Sequence, residues 1–261
     1  MRAFGRWLLW MLFAAVALQV FFVGRIALMA VVDPQSTAFM RSEAWRVATQ
    51  SLGSDKPWRF SSQWVDYDQI SPHLKRAVMA AEDASFTDHG GVDWDAIQSA
   101  RQKNERRQAQ ADKRAEQIER RLAKKPEAAE AAVKAIKPPK ISGGSTITQQ
   151  LAKNLLLSGE RNLLRKGQEL VLTLMLEALL SKQRILEIYL NSVEWGEGVF
   201  GAEAAAQRYF NKSAAKLSPN EAARLAVMLP SPKFFETRQG SAYLVRRTSS
   251  IVAQMSAVQA P

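Results

Sequence analysis

The sequence predicts a mainly α-helical fold that follows a single N-terminal transmembrane helix. Three observations support this prediction. A long apolar run lies near the N-terminus, helix-start signals recur along the rest of the chain, and the strict apolar–polar alternation that is typical of strands is scarce. The expected fold class is therefore mainly α.

Size and composition limit what the chain can do. Its 261 residues, 47% of them hydrophobic, suffice for one globular domain with accessory segments. Cysteine is absent and the only histidines are His73 and His89, which excludes a disulfide framework and a zinc site built from cysteine and histidine. The net charge of +11 indicates an anionic partner: nucleic acid, an anionic membrane surface or a phosphorylated substrate.

The apolar run from Trp7 to Val23 contains one polar residue, Gln19, and predicts a membrane-spanning helix. As a helix its 17 residues cover about 26 Å, and snorkelling of a flanking arginine extends this toward the ~30 Å of a hydrocarbon core. A cleaved signal peptide is the alternative. The small residues that could form its cleavage site, at 15–17, lie inside the apolar run and not after it, which argues against cleavage. Arginines precede the helix and Asp33 follows it, so the N-terminus is expected in the cytoplasm and the rest of the chain outside.

The chain divides into three predicted segments, the last of which carries an insertion. Residues 1–32 form the cytoplasmic tip and the transmembrane helix, 33–60 a connector with one short helix, and 61–258 the globular domain. A charged insertion at 101–140 is rich in Arg, Lys, Gln, Ala and Glu, a composition that favours helix but cannot bury a core. We expect a solvated, mobile insertion; an arm that binds nucleic acid or lipid headgroups is the functional alternative.

Two helices of the domain have clear start signals. Ser71 is a suitable N-cap and Pro72 fits the first helical position, which predicts a helix that ends around residues 82–83. Thr146 begins a capping box and predicts a second helix, which ends near Gly159.

Two further helices are predicted later in the chain. Residues 163–190 are strongly apolar and predict a core helix, which the polar group at 181–184 dilutes or breaks in two. Ser218 repeats the cap signal with proline after it, and its helix must end at Leu229, before a proline.

Two apparent motifs carry no function. Residues 196–201 fit the pattern G-x-G-x-x-G but follow a predicted helix, so a turn is expected there and not a dinucleotide site. Ser213 and Lys216 fit S-x-x-K, but the other motifs of the penicillin-binding acylases do not follow.

Glu82 is the candidate general base. It lies beside Asp83 at the negative end of a predicted helix and close to Phe86, so its pKa is expected to be raised. A raised pKa suits a general base that works near ambient pH. An ordinary acidic pair at a helix end is the alternative, and spacing alone favours it.

A candidate anion site precedes the helix that starts at Thr146. The segment at 143–146 leads flexible backbone into a helix N-terminus, where amide groups can hold phosphate oxygens. Gln149 and Lys153 share one face of this helix, and Gln150 and Asn154 share the adjoining face. A capped helix with a polar surface is the alternative.

A basic cluster follows at Arg161, Arg165 and Lys166, and Glu169 lies one helical turn beyond Arg165. Arginine can hold a diphosphate through paired N–H donors, and Glu169 can orient the cations or bind a divalent cation. Surface ion pairing is the alternative.

Together these segments resemble the peptidoglycan glycosyltransferase family, whose lysozyme-like domain occurs in bifunctional penicillin-binding proteins and in monofunctional biosynthetic transglycosylases. The resemblance extends from about Pro57 to near Met255, and the single anchor without an acylase domain indicates the monofunctional type. The matching strings are Glu82-Asp83-x-x-Phe86-x-x-His89-x-Gly91, residues 143–154 (GGSTITQQLAKN), Arg165-Lys166-x-x-Glu169 and Lys182-x-x-Ile185-Leu186-Glu187-x-Tyr189-Leu190-Asn191.

The resemblance implies a lysozyme-like, two-lobed helical domain that polymerises lipid II into β-1,4-linked glycan strands. Glu82 would deprotonate the 4-hydroxyl of the acceptor sugar, and undecaprenyl diphosphate would leave the growing chain with inversion. Glu82 and Glu169 are the implied catalytic residues. The implied substrate-binding residues are Asp83, Phe86, His89, Ser145, Thr146, Gln149, Gln150, Lys153, Asn154, Arg161, Arg165 and Lys166.

The resemblance also implies partners and a location. The partners are lipid II, the growing glycan chain and membrane lipid, with other cell-wall synthesis or division proteins as further candidates; no nucleic acid is expected. No cofactor is required by the sequence, and Glu169 is the candidate ligand for an optional divalent cation, Mg²⁺ or Mn²⁺. The location is the bacterial inner membrane, with one span, a periplasmic catalytic domain and a role in cell-wall biogenesis and cell shape.

Two rival functions remain open. A lysozyme-like enzyme that cleaves peptidoglycan would also use a glutamate at a helix end, but it would not need an anion-binding helix terminus and a basic cluster. A membrane-tethered anion-binding protein would depend on residues 101–140. The segment between Trp94 and Gly143 is longer than the family usually carries, because of the charged insertion.

Overall fold

The computed structural model describes residues 2–52, 59–123, 125–136, 138–139, 141, 143–157 and 163–261. They form two compact units: a main unit of Met1–Val92 with Thr146–Pro261, and a smaller unit of Asp93–Ser145. The helices are α1 (Arg2–Leu28), α2 (Ala38–Ser51), α3 (Pro72–Glu82), α4 (Trp94–Arg121), α5 (Pro126–Lys134), α6 (Ile147–Leu156), α7 (Leu163–Leu179), α8 (Lys182–Ser192), α9 (Ala202–Phe210), α10 (Pro219–Met228), α11 (Pro232–Glu236) and α12 (Ala242–Gln254). The strands are β1 (Ser61–Ser62), β2 (Glu194–Gly196) and β3 (Val199–Phe200).

The predicted helix starts are confirmed, because each depends on a side chain that satisfies a backbone N–H at a helix end. Ser71 Oγ accepts the His73 N–H at 3.2 Å at the start of α3. Capping boxes begin α6 at Thr146 and α10 at Ser218. Helix α6 ends at Leu156, before the predicted end near Gly159, which lies outside the described residues.

The apolar segment at 163–190 forms two helices, so the predicted break is confirmed. Ser181 lies between α7 and α8, and its Oγ accepts the Arg184 N–H at 3.2 Å, which starts a new helix. Helix α8 is buried along most of its length and passes through the core. The break therefore turns one long apolar segment into a surface helix and a core helix.

The core of the main unit lies where α6 packs on α7 and α8, and where α3 packs on α10 and α12. Leu74 on α3, Leu151 on α6 and Tyr189 on α8 are almost completely buried there. This packing brings the C-terminal end of α3 next to the start of α6, since the Ile147 N–H donates to Asp83 Oδ2 at 3.0 Å.

The connector contains a longer helix than the sequence predicts. We expected one short helix between residues 33 and 60, whereas α2 has 14 residues. Thr37 Oγ1 caps it by accepting the Met40 N–H at 3.0 Å, and Met40 and Val47 are buried as α2 packs on α6. The sequence alone does not reveal this helix, because its apolar positions are sparse and are buried only by tertiary contact.

A small sheet joins the three short strands in the order β1-β3-β2. The glycine motif at 196–201 lies in its β2–β3 hairpin, where Gly198 has a φ of +70°. A turn was predicted there, and the structure confirms it. Ser213 caps a short 3-10 helix by accepting the Ala215 N–H at 3.4 Å, which agrees with the dismissal of the S-x-x-K pattern.

The smaller unit contains the charged insertion, and its described part is helical. Helix α4 begins before the predicted boundary at 101, because Asp93 Oδ1 caps it by accepting the Ala96 N–H at 2.7 Å. Within the described helix α4, only Ala100 is buried. Exposed ion pairs spaced four residues apart line its surface, such as Arg101–Glu105 at 2.9 Å. The insertion is thus solvated helix, while its mobility remains a prediction.

Helix α1 is long and apolar enough to cross a membrane: the candidate span is Ala3–Leu28, and 6% of its most apolar window is buried within the protein. The C-terminal turns of α1 are partly buried, whereas the rest of the helix is exposed. Phe22, Ile26 and Met29 belong to the hydrophobic core of the main unit, with exposed fractions of 9%, 0% and 5%. The helix is therefore docked on the main unit at one end and exposed at the other.

A buried carboxylate in β2 makes stability depend on pH. Burial raises the pKa of Glu194 from 4.5 to about 7, even though Lys233 Nζ lies 3.3 Å away. A raised pKa means that the folded state binds the proton more tightly, so this stabilisation is complete below pH 4.5 and is lost as pH rises through about 7. At ~1.4 kcal/mol per pKa unit, the folding free energy that the Glu194 shift contributes at low pH is about 3 kcal/mol.

We therefore expect Glu194→Gln to be more stable relative to wild type at pH 8 than at pH 5, because glutamine cannot ionise. Thermal unfolding in detergent at the two pH values measures this difference. Glu197→Gln in the same hairpin is the control, since the Glu197 side chain is 55% exposed and should show no such dependence. An equal shift at both pH values for Glu194→Gln would contradict the prediction.

Candidate active site

Glu82 is the last residue of α3, and its carboxylate is held by α6. Gln150 Nε2 donates to Glu82 Oε2 at 2.9 Å. The Tyr189 hydroxyl, from α8, donates to Gln150 Oε1 at 3.0 Å. Because Tyr189 occupies the oxygen of the amide, the NH₂ group of Gln150 is directed at the carboxylate. Three helices thus fix the position of the candidate base.

The pKa of Glu82 is raised, as the sequence predicts from the helix end, from Asp83 and from the nearby Phe86. Burial is the largest contribution, and the neighbouring charge of Asp83 also raises the pKa. The Gln150 hydrogen bond and the positive charges of Arg247 and Lys153 oppose this rise. A carboxylate with a raised pKa accepts a proton more readily than an exposed glutamate does, and the two cations favour its charged form.

Asp83 supports the loop that follows Glu82. Its Oδ1 lies 2.9 Å from His89 Nε2, and its Oδ2 accepts the Ile147 N–H at 3.0 Å. The Gly91 N–H donates to His89 Nδ1 at 3.1 Å, so His89 carries its proton on Nε2 and donates to Asp83. Asp83 therefore links the turn after α3 to the N-terminus of α6.

Phe86 and Lys182 lie beneath the same loop. Phe86 has no exposed surface, and Lys182 Nζ lies 4.5 Å from the centre of its ring. Lys182 Nζ also donates to the His89 carbonyl at 2.6 Å and to Glu177. We predicted that Asp83, Phe86 and His89 bind substrate. The structure shows that all three make contacts within the Glu82 loop and that the Phe86 ring is fully buried. Substrate binding by Asp83 and His89 stays a prediction.

The residues of α6 separate into a buried and an outward group. Thr146 and Gln149 are buried and form the capping box, so they hold the helix N-terminus and do not line a surface. Lys153 is exposed and Asn154 is partly buried. Ser145 is exposed and is the last residue of the smaller unit. The outward polar residues of α6 are therefore Gln150, Lys153 and Asn154, of which Gln150 and Lys153 act on Glu82.

The predicted basic cluster lies at the start of α7. Arg165 Nη1 is 3.2 Å from Glu169 Oε2, and Lys166 Nζ pairs with Glu169 Oε1. The Glu169 side chain is 6% exposed, whereas that of Lys166 is 55% exposed. The buried carboxylate thus anchors two cations, one of which reaches the surface. Arg161, also predicted as a site residue, lies outside the described residues.

The surroundings of Glu169 do not fit a divalent cation. Both of its carboxylate oxygens contact positive side chains, whereas Mg²⁺ and Mn²⁺ require several oxygen ligands around one centre. In the part of the chain that the structure describes, Glu169 belongs to no cluster of three or more acidic or histidine side chains. We therefore assign no metal to this site.

Arg247 is a site residue that the sequence analysis did not identify. Arg247 on α12 acts on the carboxylate of Glu82 from about 165 positions later in the chain. The only local signal is a pair of arginines, Arg246-Arg247, in an otherwise amphipathic helix. Such a pair normally indicates a solvated face, so only the packing of α12 on α3 reveals its role.

The main unit therefore places a buried, cation-flanked carboxylate on α3 and a carboxylate-anchored pair of cations on α7, with α6 packed between α7 and α8. A carboxylate with a raised pKa can take a proton from a hydroxyl group. Anchored cations can stabilise a leaving group that carries several negative charges. The two parts together suit a transfer reaction with an anionic leaving group.

Comparisons with known proteins agree with this geometry. The transglycosylase family model matches residues 50–125 and 123–256. A biosynthetic peptidoglycan transglycosylase of Paraburkholderia phytofirmans is 47% identical over 95% of this chain and 89% of its own length. Relatives with the same name have 47% identity in Burkholderia thailandensis and 44% in Herminiimonas arsenicoxydans, over 100% of this chain and 90% and 100% of their own lengths. The chain belongs to the transglycosylase family, the glycosyltransferases of peptidoglycan synthesis.

Proposed function

We propose that this protein polymerises lipid II into β-1,4-linked glycan strands with inversion at the anomeric carbon and release of undecaprenyl diphosphate. The observation that carries the proposal is the carboxylate of Glu82, which Gln150 orients and burial keeps at a raised pKa. The membership of the family and the names of the relatives support the same reaction.

Glu82 would act as the general base. Its carboxylate takes the proton of the acceptor 4-hydroxyl while that oxygen forms a bond to the anomeric carbon of the growing chain. The bond from this carbon to the diphosphate breaks, and the electron pair leaves with the diphosphate. Attack from the face opposite the leaving group inverts the configuration, which gives the β linkage from an α-linked donor.

Cations would stabilise the leaving group. Arg165 and Lys166 face the departing diphosphate, and Glu169 holds them in place from the buried side. Lys153 adds positive charge from α6, close enough to act on the carboxylate of Glu82. Substrate binding by Asn154 and Ser145 stays a prediction. Thr146 and Gln149 contribute by fixing the helix N-terminus.

Helix α1 would anchor the enzyme in the inner membrane, with its N-terminus in the cytoplasm and the catalytic domain in the periplasm. Its length and apolar composition, and the arginines that precede it, support this orientation. Substrate and product both carry lipid tails, so an anchored enzyme meets them at the surface where they are held. Contacts with other cell-wall synthesis or division proteins remain a prediction.

The function can be tested with purified protein and labelled lipid II in detergent. We expect a ladder of glycan polymer that a muramidase digests. The rival, a peptidoglycan-cleaving enzyme, would leave lipid II unpolymerised and would shorten preformed glycan strands. The anchored cations favour polymerisation, because hydrolysis of a glycan strand releases no diphosphate.

We expect Tyr189→Phe to slow polymerisation about two- to tenfold, because one hydrogen bond worth ~0.5–1.5 kcal/mol no longer orients Gln150 toward Glu82. Initial rates with lipid II measure this change. Tyr67→Phe is the matched control: the Tyr67 hydroxyl also donates one hydrogen bond, to the Pro261 carbonyl at 2.6 Å, but it does not contact Gln150. Equal rates for the two variants would show that Gln150 needs no such support.

A further inference from the structure

Helix α4 carries most of its basic residues at regular intervals along one face. Two adjacent basic residues occur at three places, seven residues apart: Arg106-Arg107, Lys113-Arg114 and Arg120-Arg121. Seven residues are close to two helical turns, so the three pairs lie on one face and follow one another at about 10.5 Å. All six side chains are exposed. We call this face the basic ladder.

The other two faces of α4 have different chemistry. Glu105, Asp112 and Glu119 also lie seven residues apart, each directly before a basic pair, so they form an acidic face beside the ladder. The third face holds partly buried residues, which are Asn104, Ala111, Ala115, Ile118 and Leu122. Helix α5 packs on α4. Packing and charge are therefore kept on separate sides of this helix.

The far end of the ladder borders a groove in the smaller unit. The groove has a volume of about 730 Å³, and its lining residues are Arg114, Gln117, Ile118, Arg120, Arg121 and Ile136. Three arginines beside two isoleucines suit a ligand that has both carboxylates and short apolar side chains. Arg120 pairs with Glu116 at 2.5 Å, but its side chain is 77% exposed, so an incoming carboxylate can replace this weak contact.

Both ends of the smaller unit continue from residues that support Glu82. The unit begins just after Gly91 and ends just before Thr146, and the Thr146 hydroxyl donates to the Gly91 carbonyl at 2.6 Å. Within the unit, Gly144 lies so close to α4 that a Cβ atom on it would be 2.9 Å from the Ile97 Cα. Helix α4 starts directly after the Glu82 loop, and its 28 residues extend for about 42 Å.

The spacing of the ladder suits the proposed product. In an extended β-1,4-linked strand alternate sugars face the same way, so one side of the strand presents a peptide once in each disaccharide. The length of a disaccharide is close to the two-turn repeat of the ladder. These peptides carry free carboxylates, which arginine binds through paired N–H donors. A strand laid along α4 therefore brings one peptide to each basic pair.

An anionic membrane surface fits this helix less well. A helix that lies on lipid needs a broad apolar face next to its basic residues. The large apolar residues of the charged part of α4 are few, and Ile118 is partly buried. A flat anionic surface would also meet the acidic face, whereas a narrow strand can follow the ladder alone.

We propose that the basic ladder binds the peptide carboxylates of the nascent glycan strand and keeps the strand on the enzyme between transfers. The inference rests on the proposed function, since its ligand is the product of that reaction. Each exposed contact between an arginine and a carboxylate is weak, so retention depends on several repeats that bind at once. The ladder therefore increases the length of the product and takes no part in the chemical step.

Binding can be measured with the full-length protein in detergent and soluble, uncross-linked glycan strands that carry their peptides. The ladder variant replaces one arginine of each pair: Arg107→Gln, Arg114→Gln and Arg121→Gln together. It should bind these strands about fivefold more weakly or worse at low salt, because three contacts are lost together. Glutamine is a good helix former, so circular dichroism should show that α4 persists.

A matched control removes the same number of charges elsewhere. The control variant replaces three exposed cations of the main unit: Arg59→Gln, Lys216→Gln and Arg238→Gln. It should bind the strands as wild type does, because its net charge equals that of the ladder variant but its ladder is intact. If the two variants lost equal affinity, overall charge would explain the binding and the ladder would be rejected.

Chemically modified strands identify the group that is recognised. When carbodiimide coupling has converted the carboxylates to methylamides, wild type and the ladder variant should bind equally. A persistent difference would overturn recognition through carboxylates. Equal binding of both proteins to unmodified strands would overturn the ladder itself. Loss of binding to phosphatidylglycerol vesicles, with binding to strands retained, would identify a membrane contact and would also overturn the proposal.

Retention of the strand predicts shorter products at an unchanged initial rate. With labelled lipid II, the ladder variant should start polymerisation within about twofold of wild type, whereas the median strand length should fall about threefold or more. The difference in length should shrink at high salt, which screens exposed charges. Neutralising the acidic face, which has the same spacing, should not shorten the product; this variant combines Glu105→Gln, Asp112→Asn and Glu119→Gln.

The outcomes separate this inference from the proposed function. Equal strand lengths for wild type and the ladder variant, or a loss of initial rate as large as the loss of length, would overturn retention. Absence of polymer from the wild-type protein would instead overturn the proposed function. The binding measurement would still decide whether the ladder holds strands that carry peptides.

Discussion

Replacement of Glu82 by glutamine is expected to lower lipid II polymerisation by about 10²-fold or more, the usual effect of losing a positioned general base. Glutamine keeps the size of the side chain and can still bond to Gln150, so the fold should be retained. The loss should appear in kcat, because the proton is transferred only in the transition state. Initial rates with labelled lipid II, at saturating substrate, measure it.

The pH profile gives a second test of the same residue. Because burial raises the pKa of Glu82, the wild-type rate should increase with pH until the carboxylate is fully ionised, at a pH above the usual range for glutamate. The residual activity of Glu82→Gln should not show this increase with pH, because glutamine does not ionise. Glu197→Gln is the control, since its side chain is 55% exposed and it pairs with Arg46. Near-normal polymerisation by Glu82→Gln would remove Glu82 from the mechanism.

Replacement of Glu169 by glutamine is expected to slow polymerisation about tenfold to a hundredfold. The buried carboxylate holds both Arg165 and Lys166, and charge-assisted hydrogen bonds are worth ~1.5–3 kcal/mol each. Without it the two like charges repel and lose the geometry that a departing diphosphate needs. Single-turnover rates with lipid II, which isolate the chemical step, measure the effect.

The chain offers a closely matched control for this change. Arg101 and Glu105 have the same four-residue spacing as Arg165 and Glu169, but their side chains are 80% and 61% exposed. Exposed pairs contribute little, so Glu105→Gln should leave the rate within about twofold of wild type. If Glu169→Gln behaved in the same way, Glu169 would be a structural support of α7 and not part of leaving-group stabilisation.

The sequence predicts best what local chemistry determines. Ser71, Thr146 and Ser218 mark helix starts correctly, because a cap needs only a side-chain oxygen and the next turn of the same helix. The break at Ser181 follows from the same rule. The helix predicted from Ser71 also ends at Glu82, and the direction of the pKa shift of Glu82 is as expected.

Other features depend on contacts between residues that are far apart in the chain, and sequence analysis did not predict them or predicted a different role. Helix α2 packs on α6, and Met40 and Val47 are buried by tertiary contacts that no local pattern reveals. Arg247 reaches Glu82 only through the packing of α12 on α3. Phe86 resembles a cleft residue by spacing, yet the fold buries it under the Glu82 loop.

Composition, and neighbours within one helical turn, suffice to predict the apolar N-terminal helix, the helix starts and the types of side chain that transfer chemistry requires. The support of the site, in contrast, depends on contacts between separate helices. Burial sets the pKa of Glu82, Tyr189 orients Gln150, and Gln168 meets Gln19 across 149 positions of chain. Desolvation and hydrogen-bond geometry arise when separate helices pack, and no local pattern encodes them.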